Sequence, residues 1–366
     1  MTKVYGFVAE FNPFHNGHKL FIDKIKQTYH PDVLIAVMSG NFVQRGDFAI
    51  LDKWSRAQIA IDNGVDLVVE LPFAYAVESA QYFARGSMKL LQLLEVNELV
   101  FGTEQKLDFD NLAQKIIHSR TDFQQDYRLS SAENLTQYYQ TLGIDIAKLP
   151  NQLLGLNYVT QLIEQDYPIH VNTIQRVASE FSATEIRKRK SQGLSFADLV
   201  PTATVNNFDK QKIVTWDDYF PYLKFQILSH SVTELHSNYQ MVEGLEYKLK
   251  KEIKWSHNFT ELVERVKSKR YTMARIRRLM MYTLLNVKKS EINNVYNNPY
   301  LRILGFDERG KNYLNGLKKG NVDLITRVGK KEQKHLNLEV RADEVRQLIT
   351  EEEQNFGKIP YMKGVN

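Results

Sequence analysis

Apolar runs alternate with amphipathic stretches across the first hundred residues, and this rhythm restricts the fold more than any other feature of the chain. Val4–Glu10, Val33–Met38, Val65–Leu71 and Glu98–Phe101 read as strands. Each is closed by a turn signal, respectively Asn12-Pro13, Ser39-Gly40-Asn41, Pro72 and Gly102. Between them, Gly17–Tyr29 carries Leu20, Phe21 and Ile25 on one helical face, Asp52 caps a helix running to Asn63, and Val77–Leu94 reads as a third helix. Strands and helices in this order predict right-handed crossovers and an α/β fold with a doubly wound, Rossmann-like parallel sheet. Ligands of such sheets sit beyond the carboxyl ends of the strands. The loops Phe11–His18, Ser39–Asp47 and Gly102–Gln105 leave those ends and are rich in Asn, Gly, His, Arg or Thr.

At 366 residues the chain exceeds one typical domain. His170–Val177 reads as a further strand, and after about residue 200 the pattern turns helical: Tyr219–His230, Val232–Lys254, Asn258–Lys267 and Thr272–Lys288. We therefore expect a sheet domain over residues 1–200 and a mainly helical, basic domain over 201–366, with a small strand at Val322–Val328 and a helix at Arg341–Glu352 in its tail. Charge is distributed unevenly. Residues 1–110 hold 10 Lys/Arg against 14 Asp/Glu, whereas residues 246–289 hold 13 against 4. A net +9 over 44 residues suits a polyanion, although a solvated helical face carries charge in the same way. No apolar run is long enough to span a bilayer, the N-terminus lacks a signal-peptide layout, and the absence of cysteine excludes disulfides and thiolate metal sites. A cytoplasmic location is the expectation, with no membrane, DNA or obligate protein partner indicated.

The segment Asn12-Pro13-Phe14-His15-Asn16-Gly17-His18 carries the chemistry. Gly17 permits close backbone approach, and the helix that follows offers unpaired N–H groups to an anion. His15 and His18, three apart at that terminus, bring two imidazoles to the same bound phosphates, where charge develops during phosphoryl displacement. A second helix start, Ser182-Ala183-Thr184-Glu185, has hydroxyls at its cap and Arg187 one turn in, suited to β- and γ-phosphates. Asn41, Gln44, Arg45, Lys53 and Arg56 add polar groups at the same sheet edge and are substrate-side candidates. In the basic region Lys269, Arg270, Arg275, Arg277 and Arg278 surround Tyr271, a mixture suited to phosphate contacts and base stacking. Spacing alone does not choose between RNA and an acidic protein surface.

The His-x-Gly-His loop and the Ser-x-Thr-x-x-Arg helix start resemble the nucleotidyltransferase superfamily. The longer strings Ala9–His18, Met38–Gly46, Asp66–Pro72 and Phe101–Glu104, with Arg275–Arg278, resemble the tRNA(Met) cytidine acetate ligase family over nearly the whole chain. That resemblance implies two steps: acetate attacks the α-phosphate of ATP to give acetyl-adenylate and pyrophosphate, and the acetyl group then passes to N4 of the wobble cytidine of elongator tRNA(Met). It implies ATP contacts at Phe7, Val8, Ala9, Glu10, Phe11, Asn12, Pro13, Phe14, His15, Asn16, Gly17, His18, Lys19, Leu20, Gly102, Asn151, Arg176 and Val177. Ser182 and Thr184 join that set from the second helix start. His15, His18, Lys19 and Arg187 are the expected catalytic groups. Only Ala178–Phe181 separate Val177 from Ser182, a shorter loop than the family pattern. Mg²⁺ is expected with the ATP, with no protein side chain as its ligand. Acetate is ionised at neutral pH and needs no general base, which leaves both histidines free to act as donors. Two alternatives share these motifs: a small-molecule adenylyltransferase, and an RNA-binding relative without catalysis.

Overall fold

The computed structural model describes residues 2–119, 131–143, 150–176, 181–318 and 323–364. Its sheet is built around β1 (Val4–Ala9), with β2 (Val33–Ser39), a short hairpin of β3 (Phe42–Val43) and β4 (Asp47–Phe48), then β5 (Leu67–Leu71), β6 (Glu98–Thr103) and β7 (His170–Gln175). Three more strands come from the tail: β8 (Leu301–Phe306), β9 (Leu324–Ile325) and β10 (Tyr361–Met362). The order is β10-β8-β5-β2-β1-β6-β7, with β9 also on β8. Strands β5, β2, β1, β6 and β7 are mutually parallel, as the sequence rhythm predicts.

β2 and β5 are buried along their whole length, which is why they read as continuous apolar runs rather than alternating ones. Alternate residues serve opposite faces. Val4, Val33, Ile35, Val37, Leu67 and Leu99 pack with the Ala80–Leu93 helix. Tyr5, Phe7, Leu34, Ala36, Met38 and Val68 pack with the Asn16–Tyr29 and Lys53–Asp62 helices. Strand β1 has β2 on one side and β6 on the other, so the winding reverses beside it, and a crevice opens at its carboxyl end.

The helical stretch is confirmed from Thr202 to Asn297, in shorter pieces than the sequence suggests. Val232–Lys254 divides into Val232–His236 and Leu245–Glu252, because Gln240, Glu243 and Gly244 take positive φ between them. Asn258 and Thr272 cap the Phe259–Val266 and Met273–Leu284 helices through their side chains.

The tail has the expected small strand, at Leu324–Ile325, and the expected helix, at Asn337–Thr350, but it joins the first sheet. β8 runs antiparallel to β5, with Leu67 opposite Phe306 and Glu70 opposite Arg302, and β9 and β10 pair with β8. The expected unit 201–366 therefore divides. Its helices from Thr202 to Asn297 lie between β7 and β8, while its last segment adds three strands to the sheet of residues 1–200, with helices Glu308–Leu317, Lys330–His335 and Asn337–Thr350 between them. Among the described residues no helix is long and apolar enough to cross a membrane.

Candidate active site

β1 ends at Ala9, and the chain folds over the sheet edge before entering the Asn16–Tyr29 helix. Phe11 takes φ +46, a left-handed conformation that bulky residues adopt only when their surroundings hold them there. The holding groups are visible. Asn12 Oδ1 accepts the Ile50 N–H at 2.8 Å, Thr204 Oγ1 donates to the Phe14 carbonyl at 3.2 Å, and Asn16 Nδ2 donates to the Asp198 carbonyl at 3.0 Å. Arg187 donates through Nη1 to the Asn12 carbonyl and through Nη2 to Thr184 Oγ1 at 3.2 Å.

This frame presents the two imidazoles. His15 is the N-cap of the helix, and its ring stacks on that of His18 with centroids 3.6 Å apart. The His15 backbone N–H donates to His18 Nδ1 at 3.2 Å. That bond assigns the tautomer: the His18 proton resides on Nε2, for which no protein acceptor exists among the described residues. Burial, with the Arg176 charge adding to it, pushes the His15 pKa down to about 4. Burial also lowers His18 well below its ordinary value, helped by His15 and Arg176. Both rings are neutral near pH 7 and serve as donors, not as cations. Gly17 is required beside them, since a Cβ there would lie 3.0 Å from the His15 ring and 3.3 Å from Phe181.

Both histidines line a cavity of about 730 Å³ at the carboxyl ends of β1, β6 and β7. A volume of this order is usual for a nucleotide-sized ligand site. Phe7, Val8, Ala9, Glu10, Phe11, Gly17, Leu20, Gly102, Asn151 and Arg176 line it too, as do Gln44 and Arg45 from the hairpin. The structure thus gathers most of the expected ATP set around one opening. It also adds groups that sequence reasoning passed over. Phe21 and Lys24 continue the Asn16–Tyr29 helix one and nearly two turns beyond His18, a spacing that is legible in retrospect. Leu154 and Tyr158 stand four apart on the Pro150–Glu164 helix, which carried no sign of the face it would turn inward.

Other expected residues lie outside the cavity lining. Asn12, Phe14 and Asn16 frame the loop through the bonds given above, and Pro13 belongs to the same turn. Lys19 pairs with Asp23 at 2.7 Å on a half-exposed surface. Arg187 braces the loop, and Ser182 caps its own helix by accepting the Glu185 N–H at 3.5 Å. Val177 lies outside the described residues.

Three substrate-side candidates need correction. Arg56 is fully buried and spends its guanidinium on the carbonyls of Glu10, Ser39, Gly40 and Leu51, tying together the ends of β1 and β2. Lys53 is fully buried between Glu70, at 2.9 and 3.0 Å, and Asp343 at 2.7 Å. Asn41 donates to Asp343 and Gln354 and accepts the Lys53 N–H. Lys53 and Asn41 hold the sheet to the tail, Arg56 holds the ends of β1 and β2 together, and none of the three lines the cavity.

The basic segment is also divided. Arg277 bonds Asp47 at 2.7 Å and lies over the Phe259 ring, and Arg278 reaches the Gln44 carbonyl at 3.4 Å. Gly46, at φ +69, packs so tightly on the backbone of Arg277 and Arg278 that a Cβ has no room. Both arginines therefore clamp the helical region to the hairpin that lines the cavity. Arg275 lies over the Tyr271 ring at 4.7 Å, and Arg270 pairs with Glu243 at 2.9 Å on the surface. Lys269 is exposed and unpaired among the described residues.

A family model described as HIGH nucleotidyl transferase matches residues 2–358. A tRNA(Met) cytidine acetate ligase of Lactobacillus delbrueckii subsp. bulgaricus is 41% identical over 98% of both chains. One of Streptococcus agalactiae is 38% identical over 99% of this chain and 98% of its own. Among solved structures, Thermotoga maritima TmcAL bound with alpha-thio ATP superposes with a TM-score of 0.87, covering 99% of each chain at 28% identity. Its apo form gives the same TM-score. With the fold, the His-Asn-Gly-His helix start and these likenesses in agreement over the full length, the chain belongs to the HIGH nucleotidyl transferases and, among them, to the tRNA(Met) cytidine acetate ligase family.

Proposed function

We propose that the protein activates acetate with ATP and transfers the acetyl group to N4 of the wobble cytidine of elongator tRNA(Met). The observation that carries this reading is the pair of neutral, stacked imidazoles at a helix N-terminus, lining a nucleotide-sized cavity at the point where the winding of the sheet reverses. The ionised carboxylate of acetate attacks the α-phosphorus in line with the leaving pyrophosphate. The His18 Nε2–H and the unpaired backbone N–H groups of the helix start donate to the phosphoryl oxygens as they gain charge. A neutral donor gives this stabilisation without a proton being lost or gained around pH 7.

Arg45 and Arg176 line the same cavity and supply the positive charge that the polyphosphate calls for. Arg187 acts one step back, by holding the Asn12 carbonyl and so the loop that aims the histidines. Among the described residues no cluster of three acids, histidines or cysteines is built for a metal, and Glu10 is the one carboxylate lining the cavity. These residues do not make a protein cage for Mg²⁺, so the ion belongs with the ATP phosphates and water as part of the substrate. The RNA docks on the basic helices, where Lys269 is free for a phosphate. A cytoplasmic location follows from a tRNA substrate.

The test measures pyrophosphate released from ATP with acetate, followed by mass analysis of the nucleosides of tRNA(Met). We expect acetate-dependent release without RNA, and N4-acetylcytidine once tRNA(Met) is added. Release with a phosphorylated metabolite but not with acetate would overturn this reading in favour of a small-molecule adenylyltransferase.

A further inference from the structure

The second step poses a problem that the first does not. The exocyclic amine of cytosine is a weak nucleophile, and as its nitrogen bonds to the acetyl carbon it must shed a proton. The cavity offers few acceptors. His18 Nδ1 is occupied by the His15 N–H and its Nε2 carries a proton already, and His15, whose pKa is pushed down to about 4, holds a proton less well than a carboxylate that burial raises. Lys24, Arg45 and Arg176 are cations, and burial raises the Tyr158 hydroxyl well above its ordinary value, so it stays protonated.

Glu10 remains, the single carboxylate among the described residues that line the cavity. A lone carboxylate in a pocket for a polyanion opposes the binding of that polyanion, so its presence there calls for a chemical reason. The side chain is held but not used up. Oε1 accepts the Gln44 N–H at 2.8 Å, Oε2 has no partner, and the Glu10 carbonyl is gripped by Arg56 at 2.6 Å. We propose that Glu10 is the general base of acetyl transfer, an inference that rests on the function proposed above. Its Oε2 takes a proton from N4 as the amine attacks the carbonyl carbon of acetyl-adenylate. The new C–N bond forms, the bond from that carbon to the phosphate oxygen breaks, and AMP leaves with the electron pair. The groups facing Glu10 set its basicity: burial raises its pKa, while the Gln44 N–H and Arg56, Arg45 and Arg187 lower it. The Glu10 charge adds to the rise that burial gives the Tyr158 hydroxyl.

The experiment compares wild type, Glu10→Gln and Glu10→Asp. It measures acetate-dependent pyrophosphate release without RNA and single-turnover formation of N4-acetylcytidine with tRNA(Met) across a pH series. For Glu10→Gln we expect transfer to fall on the order of 10²-fold, the usual share of a general base. Pyrophosphate release should fall at least roughly tenfold less than that. Wild-type transfer should lose rate as pH drops through the titration of Glu10, Glu10→Gln should lack that limb, and Glu10→Asp should restore it in part. Wild-type transfer by Glu10→Gln would overturn the proposal and hand the proton to a phosphoryl oxygen of the adenylate or to water. Equal losses in both steps would also overturn it, making Glu10 a brace for the loop. A wild-type enzyme that releases no pyrophosphate with acetate would instead sink the function on which the proposal depends.

Discussion

Two polar clusters sit at the same edge of the sheet and differ in what they leave unbonded. At the ends of β2, β5 and β8, Lys53 bonds Glu70 and Asp343, while Arg302 bonds Asn355 at 2.7 Å and the Gln354 carbonyl at 3.2 Å and pairs with Glu70 at 3.4 Å. Glu339 beside them is pushed up to about 7, chiefly by burial, with the Glu70 charge adding to it. At the end of β1, by contrast, His18 Nε2, Glu10 Oε2 and the Arg45 and Arg176 guanidinia line open space. The residue types in the two clusters are equally suited to chemistry. Commitment separates them: in the first the charged groups pair with one another inside the fold, although Glu339 Oε2 and Gln354 Nε2 stay unbonded there, and the second keeps its donors and acceptor for a ligand.

The comparison breaks most readily at Lys53. Replacing it with Met strands Glu70 and Asp343 in the interior, and we expect a loss of about 3–5 kcal/mol in denaturant titrations. A variant as stable as wild type would show that the charges there are not paired. His18→Ala should reverse the pattern, leaving stability and tRNA affinity close to wild type. Its acetate-dependent pyrophosphate release should fall on the order of 10²–10³-fold, the cost of one donor to a developing anion. An unchanged rate would remove His18 from the site.

A smaller contrast exists within the basic helices. Lys269→Gln should weaken tRNA(Met) binding and reduce the slope of log affinity against log salt by about one contact. Arg277→Gln should leave that slope alone, because Asp47 already occupies the guanidinium, and should disturb the ATP concentration dependence instead. Equal slope changes in both variants would make Arg277 an RNA contact. The smallest expected effect is a null one. Because both histidines are lowered, protonation is absent through their ordinary titration near 6.5, and pyrophosphate release should be flat from about pH 8 to about pH 6. A half-loss near pH 6.5 would mean that at least one ring is more exposed to water than described.

The parallel strands and the histidine loop were legible because their signals are local: apolar runs, turn residues and a contiguous motif. The tail strand was not. Leu301–Phe306 finds its partner β5 more than two hundred positions earlier, and no local pattern names a partner at that distance. The same holds for Lys53 and Asp343, which are 290 residues apart. A lysine in a polar stretch near a sheet edge reads as accessible until the acids that enclose it are known. Arg56 misleads in the same way, since carbonyl oxygens are present in every sequence and advertise nothing. Arg277 and Arg278 read as a basic patch because Gly46, which lets the hairpin close on them, lies in a different part of the chain.

The position of the helical region between β7 and β8 has a mechanical consequence. A domain appended at one end of a chain pivots on a single tether. One whose two ends both enter the same sheet is a loop pinned at two posts, and Gly46 adds a third point of attachment against Arg277 and Arg278. On the proposed docking of the RNA on these helices, it is presented to the cavity in a restricted orientation, not searched for through free swivelling, so part of the entropy of bringing amine and adenylate together is spent when the protein folds.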